Sequence, residues 1–254
     1  MKELYYGYYA THIYLPFSAL SHRLRRFTRR IRGKNAGPLQ PTGLPEVAWR
    51  KLPSMETPRV WEHRREDGNM RISELAILCA FAAGCENGTN LFEIGTFDGR
   101  TTLNLALNSP PRCQVHTLDL PPEQDTAFAI EKTERHLVDK PQSGARYKSQ
   151  RTVHPAAVEK IHQLLGDSAA FDYTEYLGSC SLVFVDGSHA YDYVMADTRT
   201  AMNLVRPGGV IVWHDYGVWP GVTKALEELE DREHHGFQQI RGTSLVAWSK
   251  RMER

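Results

Sequence analysis

The 254-residue chain has only four cysteines, at positions 79, 85, 113 and 180, and none of them forms a CxxC pair. That density excludes a small disulfide-rich scaffold, and the absence of paired cysteines argues against a structural zinc site. Free thiols are typical of a reducing compartment. We therefore expect a cytoplasmic protein.

The sequence also lacks long apolar runs and a charge of one sign. No stretch of about 18 apolar residues could span a membrane, and no basic n-region leads into an apolar core with a cleavage site. With 31 basic and 30 acidic residues the net charge is +1. Such a balance gives no global attraction to nucleic acid, so neither a membrane span, nor secretion, nor a nucleic-acid partner is predicted.

The first 34 residues differ from the rest. The aromatic segment YYGYYATHIYLPFSAL runs directly into SHRLRRFTRRIRGK, whose cations are Arg23, Arg25, Arg26, Arg29, Arg30, Arg32 and Lys34. Tyrosine favours the headgroup level and a polybasic run is attracted to anionic lipid, so residues 1–34 could contact the inner face of a membrane peripherally. Leu24, Phe27 and Ile31 recur at helical spacing, which fits a helix on its own domain or in a homo-oligomer equally well. A short RNA-binding patch is a further alternative, against which the neutral chain argues.

Residues Gly37 to Pro58 contain five prolines and predict a linker. We expect an N-terminal extension with this proline-rich linker over residues 1–45 and one α/β domain over residues 46–254. The core begins with a largely buried helix from Arg71 to Ala83, which carries apolar residues at helical spacing.

Apolar strand-like runs alternate with helical segments after that helix. The strands are predicted within residues 91–94, Gln114 to Leu120, KIHQLLGD, Ser181 to Gly187 and Gly208 to Tyr216. This alternation predicts a Rossmann-like, doubly wound α/β fold with helices on both faces of a mostly parallel sheet. The final FQQIRGTSLVAWSK reads as two strands joined by a short turn, which requires an antiparallel hairpin and makes seven strands.

The stretch Leu91 to Thr102, LFEIGTFDGRTT, reads as a buried strand, a glycine turn and the start of a helix. A dinucleotide-binding loop would show GxGxxG, whereas Gly95 and Gly99 lie four apart here and follow the acid Glu93. Together with the alternating sheet, this pattern resembles the first motif of class I S-adenosylmethionine-dependent methyltransferases. The resemblance spans roughly Ile72 to Lys250.

The resemblance implies S-adenosylmethionine as the cofactor and assigns its contacts to three strand ends. The glycine loop would hold the methionine part, Asp119 the two ribose hydroxyls, and Asp167 with Ser168 the adenine. The implied cofactor-binding residues are Glu93, Gly95, Thr96, Phe97, Gly99, Asp119, Leu120, Asp167, Ser168 and Asp186. Asp119 could instead be a helix cap or a surface acid, and Asp167 with Ser168 could cap the following segment.

A second group lies at the ends of the fourth and fifth strands. VFVDGSHAYDYV carries Asp186 and His189, and VIVWHDY carries His214 and Asp215. Adjacent parallel strands bring these side chains into one cleft, where oxygen and imidazole ligands could hold a divalent cation. An ordinary Asp–His hydrogen bond at each strand end is the structural alternative.

Resemblance to metal-dependent O-methyltransferases of the catechol and macrolide-sugar types implies Asp186, His214 and Asp215 as the metal ligands. A histidine at the second of these positions departs from those families, and imidazole suits manganese, iron or zinc better than magnesium. His189 resembles the catalytic histidine of the macrolide-sugar enzymes, which makes His189 and Asp186 the candidate catalytic residues. Metal-free catalysis by His189, oriented by Asp186 and Asp215, uses the same residues.

We therefore expect an S-adenosylmethionine-dependent O-methyltransferase. Residues 181–216 resemble a bacterial group associated with glycan synthesis, which implies a hydroxyl of a sugar, a glycolipid or a related small acceptor. We expect residues 121–155 to form a lid, and the aromatic residues Tyr191, Trp213, Tyr216 and Trp219 to shape the acceptor pocket or to lie in the core. A Rossmann-like oxidoreductase or hydroxylase and a non-catalytic membrane-associated scaffold remain as alternatives.

Overall fold

The computed structural model describes residues 2–17, 42–52, 57–61, 68–131, 135–139 and 142–252. Its α-helices are α1 (Lys2–Tyr8), α2 (Ile72–Ala83), α3 (Arg100–Asn108), α4 (Arg135–Val138), α5 (Ala145–Ser149), α6 (Pro155–Val158), α7 (Tyr191–Leu204) and α8 (Pro220–Glu233). A π-helical stretch, Tyr9–Tyr14, continues α1, and single 3-10 turns occur at Trp49–Lys51 and Thr174–Tyr176.

The described residues form one eight-stranded sheet. Its strands are β1 (Glu46–Val47), β2 (Asn90–Ile94), β3 (Gln114–Asp119), β4 (Ile161–Leu165), β5 (Cys180–Val185), β6 (Val205–Trp213), β7 (Gln238–Ile240) and β8 (Val246–Ser249), in the order β1-β7-β8-β6-β5-β2-β3-β4. β8 is antiparallel to both β6 and β7, and the other pairs are parallel. The mostly parallel Rossmann-like sheet with its terminal hairpin is confirmed.

The eighth strand comes from the segment that the sequence predicts to be a linker. Glu46 and Val47 pair with Gln239 and Ile240 at the edge of the sheet, and Leu44, just before them, is buried in the core. A strand of two residues is too short to show an alternation of polar and apolar residues, so β1 could not be predicted from the sequence pattern.

The sheet reverses its direction of winding at β2. This strand has β3 on one side and β5 on the other, both parallel to it. In open parallel sheets the crevice at such a switch point, beyond the carboxyl ends of the strands, is where ligands bind. The predicted site residues follow these same strands.

Residues 2–17 pack against the domain. Ala10 and Leu15 belong to the hydrophobic core that also contains the buried face of α2, and a Cβ on Gly7 would lie 2.1 Å from the carbonyl oxygen of Pro58. The described part of the N-terminal extension therefore packs on its own domain. The basic residues and Leu24, Phe27 and Ile31 lie outside the described residues. Among the helices that are described, none combines the length and the apolar character needed to cross a bilayer.

Candidate active site

A cavity of about 620 Å³ opens beyond the carboxyl ends of β2 to β6. Eight of the residues predicted to bind the cofactor line it: Gly95, Thr96, Phe97, Asp119, Leu120, Asp167, Ser168 and Asp186. The cavity is also lined by the other three residues of the second predicted group, His189, His214 and Asp215. The topology thus brings both groups into one chamber.

Gly95 allows the loop after β2 to lie directly on the loop after β5. Its φ is 99°, and a Cβ there would come within 2.0 Å of the carbonyl oxygen of Asp186. The Gly95 amide donates to the carbonyl of Leu118 at 2.8 Å, which also ties this loop to β3. Glycine alone accommodates this conformation and this close approach. The backbone at Gly95 therefore separates the predicted cofactor-binding residues from the predicted catalytic group.

Glu93 and Gly99 are not among the residues that line the cavity. Glu93 is fully buried behind it and accepts hydrogen bonds from Thr102 and from Thr117, the latter at 2.7 Å. Burial raises the pKa of Glu93 to about 8, with the charges of Asp186 and Asp119 acting in the same direction against those two hydrogen bonds. Gly99, with φ 85°, begins α3. Its amide donates to the carbonyl of Thr96 at 2.9 Å, which closes the glycine loop.

The acids of β3 and β4 stand at the wall of the cavity. Asp119 is 7% exposed, and its Oδ1 lies 3.5 Å from the amide of Phe97. Asp167 accepts from the amides of Ala127 at 2.6 Å and Ala169 at 3.0 Å. Asp167 therefore holds in place a turn and the loop that follows β3. No α-helix lies between Asp167 and β5, so the capping alternative describes only a turn.

His189 forms an oriented pair with Asp215. Its Nε2 lies 2.9 Å from Asp215 Oδ2, and its ring stacks on the indole of Trp219 with centroids 4.3 Å apart and planes 5° apart. Asp215 adopts a φ of 64°, a left-handed backbone conformation that is uncommon for residues other than glycine. The two contacts fix the plane of the imidazole and leave it next to an acid, which is the arrangement a general base needs.

His214 lies between carboxylates on both sides of its ring. Nδ1 is 3.0 Å from Asp186 Oδ1 and 3.4 Å from Asp215 Oδ1, and Nε2 is 3.6 Å from Glu74 Oε2. Burial alone would lower the pKa of His214, but the charges of Asp215 and Asp186 and the bonds to Asp186 and Glu74 raise it well above its usual value. His214 therefore links the two strand-end acids to Glu74 of α2.

Glu74 is the site residue that sequence reasoning missed. It is buried in α2, accepts from the backbone amide and hydroxyl of Ser244 at 2.8 and 2.9 Å, and pairs with Arg71. Burial opposes ionisation, but the hydrogen bond with His214 and the charge of Arg71 hold the pKa of Glu74 well below its usual value. A charged residue inside the apolar pattern ISELAILCAFAA was the available signal.

The donor atoms of Asp186, His189 and Asp215 lie within 4.8 Å of one another and form a group that could hold a cation. The predicted ligand set contains His214 in place of His189. Both sets share the two carboxylates, and in the structure the ring nitrogens of His214 face Asp186 and Glu74. Two carboxylates and one imidazole suit a divalent transition metal, so the donor chemistry fits such an ion.

The predicted aromatic lining divides between the pocket and the core. Trp219 lines the cavity, whereas Trp213 is fully buried and donates from Nε1 to Thr198. Tyr216 is also buried, and its hydroxyl donates to Glu227. Tyr191 packs its ring under Lys224 and is not part of the lining. Only one of the four residues thus shapes the pocket.

Four further histidines of the described residues make ring contacts outside the cavity lining, and a fifth lines the cavity. The rings of His116 and His162 stack on each other, and those of His154 and His235 contact Trp61 and Phe237. His136, in α4 of the segment predicted to be a lid, lines the cavity. That segment is described over residues 121–131, 135–139 and 142–155.

Comparison with known proteins agrees with this reading. Residues 92–216 match the model of a methyltransferase domain family. Among solved structures, the chain is similar to the O-methyltransferase NovP, with 15% identity, 71% of this chain and 81% of that chain covered, and a TM-score of 0.52. It is also similar to CalS11, a calicheamicin methyltransferase (12%, 69% and 77%, 0.53), and to a protein from Corynebacterium glutamicum (15%, 73% and 84%, 0.53). At these identities the likeness shows the fold alone. No curated protein matches the sequence.

Proposed function

Because residues 92–216 match a methyltransferase domain family, we propose that this chain is a class I S-adenosylmethionine-dependent methyltransferase that methylates a hydroxyl oxygen of a sugar, a glycolipid or a related small acceptor. The observation that carries the proposal is the pair of His189 and Asp215, 2.9 Å apart, in the same cavity as the glycine loop and Asp119. A base beside the methyl donor is what an alcohol needs, since its hydroxyl does not ionise near neutral pH.

The cavity wall fits S-adenosylmethionine. Gly95, Thr96 and Phe97 line the cavity, so the methionine part would lie along this loop. Asp119 would accept from both ribose hydroxyls, a charge-assisted contact that a neutral residue could not match. An ionised carboxylate has about four acceptor positions, so Asp167 could accept from the adenine amine in addition to the amides of Ala127 and Ala169.

The bound cofactor supplies a methyl group that its sulfonium makes electrophilic. As the acceptor oxygen bonds to the methyl carbon, the carbon–sulfur bond breaks and its electron pair stays on sulfur. His189 accepts the hydroxyl proton, and Asp215 stabilises the imidazolium that results. Trp219 holds the imidazole plane and keeps water from that side of the ring.

A metal-assisted version uses the same cavity. Asp186 and Asp215, with either His189 or His214, would hold a divalent cation, which when bound would lower the pKa of the acceptor hydroxyl. The donor spacing of Asp186, His189 and Asp215 supports this version. The two versions differ in whether His189 is a base or a ligand.

The acceptor class rests on the resemblance of residues 181–216 to enzymes of glycan synthesis. The cavity adds that the acceptor is small enough to share about 620 Å³ with the cofactor, or is a larger molecule that presents one end to the site.

The test separates cofactor binding from proton transfer with two variants. Asp119→Ala should weaken S-adenosylmethionine binding by roughly 10- to 100-fold, since a hydrogen bond to a charged group contributes about 1.5–3 kcal/mol. His189→Ala should leave that affinity unchanged and lower kcat by about 10²- to 10⁴-fold. Calorimetric titration measures the first, and transfer of a labelled methyl group to a panel of sugars and glycolipids measures the second.

His162→Ala is the matched control, because His162 contacts Gln114 and is not part of the cavity lining. It should change neither quantity. Full turnover by His189→Ala would refute the base assignment, and failure of the unmodified protein to bind S-adenosylmethionine would refute the cofactor assignment. Activity lost on chelation and restored by manganese or magnesium would select the metal-assisted version.

A further inference from the structure

The N-terminal helical segment is apolar on both sides. Its inner side consists of small or buried residues, Gly7, Ala10, Thr11 and Leu15, which pack on the domain. Its outer side presents Leu4, Tyr5, Tyr8, Ile13 and Phe17 to solvent, and we call these five residues the aromatic face. Tyr5 is 62% and Phe17 72% exposed. A helix that only completes a domain carries polar residues outside, so this face is suited to contact something further.

The charge of the chain next to the aromatic face indicates which kind of partner. Seven cations occur among residues 23–34, and no acidic residue occurs between positions 4 and 45. The whole chain has only one more basic than acidic residue, so the rest of it carries a net negative charge. The excess of positive charge is therefore confined to the sequence that directly follows Phe17.

We propose that the aromatic face binds the surface of a membrane that contains anionic lipid. Tyrosine rings combine an apolar body with a polar hydroxyl and favour the level of the headgroups, while adjacent arginines are attracted to anionic lipid. A second copy of the chain suits the face less well, because a two-fold interface pairs the face with itself, and the sequence between positions 4 and 45 offers no acidic residue to balance its cations.

The segment that carries the aromatic face packs against a helix that begins at the catalytic cavity. The π-helical stretch that carries Ile13 packs on α2, and α2 begins directly after Arg71, which lines the cavity.

Vesicle co-sedimentation of the full chain tests the inference without cofactor or acceptor, so its outcome is independent of the proposed methyl transfer. The chain should sediment with vesicles of phosphatidylcholine containing 30% phosphatidylglycerol and stay in solution with phosphatidylcholine alone. The variant Tyr5→Ser/Tyr8→Ser/Phe17→Ser should bind the anionic vesicles about 10-fold more weakly or not at all.

The control variant Val153→Ser/Leu177→Ser removes two equally exposed apolar side chains elsewhere on the surface and should bind as the unmodified chain does. A circular dichroism spectrum and a melting temperature like those of the unmodified chain would show that the triple variant is folded. Equal binding by the triple variant, or no binding by the unmodified chain, would overturn the proposal. A dimer in light scattering that the triple variant dissociates would replace the membrane with a second copy.

Discussion

The buried carboxyl of Glu93 ties the stability of the domain to pH. Burial raises its pKa to about 8 in the folded chain, whereas an unfolded glutamate has a pKa near 4.3. The folded state therefore keeps a proton that the unfolded state releases, and the stabilisation present below pH 4 is lost as the pH rises to about 8. At about 1.4 kcal/mol per pKa unit, the loss is on the order of 5 kcal/mol.

Glu93→Gln removes this titration while keeping a side chain of the same shape. We expect its free energy of unfolding, measured with urea, to change less between pH 5 and pH 8 than that of the unmodified chain. Glu175→Gln, at an exposed position, is the control and should follow the unmodified chain. Parallel pH curves for Glu93→Gln and the unmodified chain would contradict the assignment.

The strand-end residues were predictable, and Glu74 was not. Asp186, His189, His214 and Asp215 follow adjacent parallel strands, so the topology alone brings them to one edge of the sheet. Glu74 contacts His214 from a helix about 140 residues earlier in the chain. An apolar helical pattern predicts that a position is buried but does not predict which residues it contacts.

At the scale of elements, the two loops that meet at Gly95 must fit each other for the cavity to form. Gly95→Ala introduces a Cβ 2.0 Å from the backbone of Asp186 at a positive φ, so the loop after β2 must move away from the loop after β5. We expect a loss of at least ~2 kcal/mol in stability and S-adenosylmethionine binding that is at least 10-fold weaker. Thermal unfolding and calorimetry measure the two effects.

The control variant Gly88→Ala measures the effect of a positive φ without the steric overlap that Gly95→Ala introduces. Gly88 has φ 93°, close to the 99° of Gly95, but nothing lies within 4 Å of a Cβ at that position. The Gly88→Ala variant should lose about 1 kcal/mol of stability through backbone strain alone and should bind the cofactor normally. If both variants behaved alike, contact between the two loops would not be what requires glycine at position 95.

Elements with a strong pattern were predicted, and short elements were not. The final hairpin was predicted because its two strands are joined by a short connection, which allows only antiparallel pairing. β1 was missed because pairing of Glu46 and Val47 with β7 depends on a sheet edge that forms far away in sequence. Trp213 and Tyr216 were ambiguous for a related reason: at a strand end, the same aromatic residue can face either the crevice or the core.

At the scale of the whole molecule, the question is whether residues 1–45 form an extension that the domain can lose. Ala10 and Leu15 share a core with α2, and α2 supplies Glu74 to the site. The packing therefore predicts that residues 2–17 stabilise the domain and the cavity together, in contrast to a domain that begins at residue 46.

Leu15→Ala tests this integration more sharply than truncation does. Leu15 is 5% exposed, so its removal should lower the free energy of unfolding by about 2–5 kcal/mol, the range for buried leucines. Phe17→Ala, two residues further along but on the exposed aromatic face, should change it by no more than about 0.5 kcal/mol. Both are measured by urea unfolding. If Leu15→Ala were as mild as Phe17→Ala, the helix would be dispensable and the boundary at residue 46 would mark a self-sufficient domain. A large difference would mean that the same helix holds α2 in place and presents its aromatic face outward.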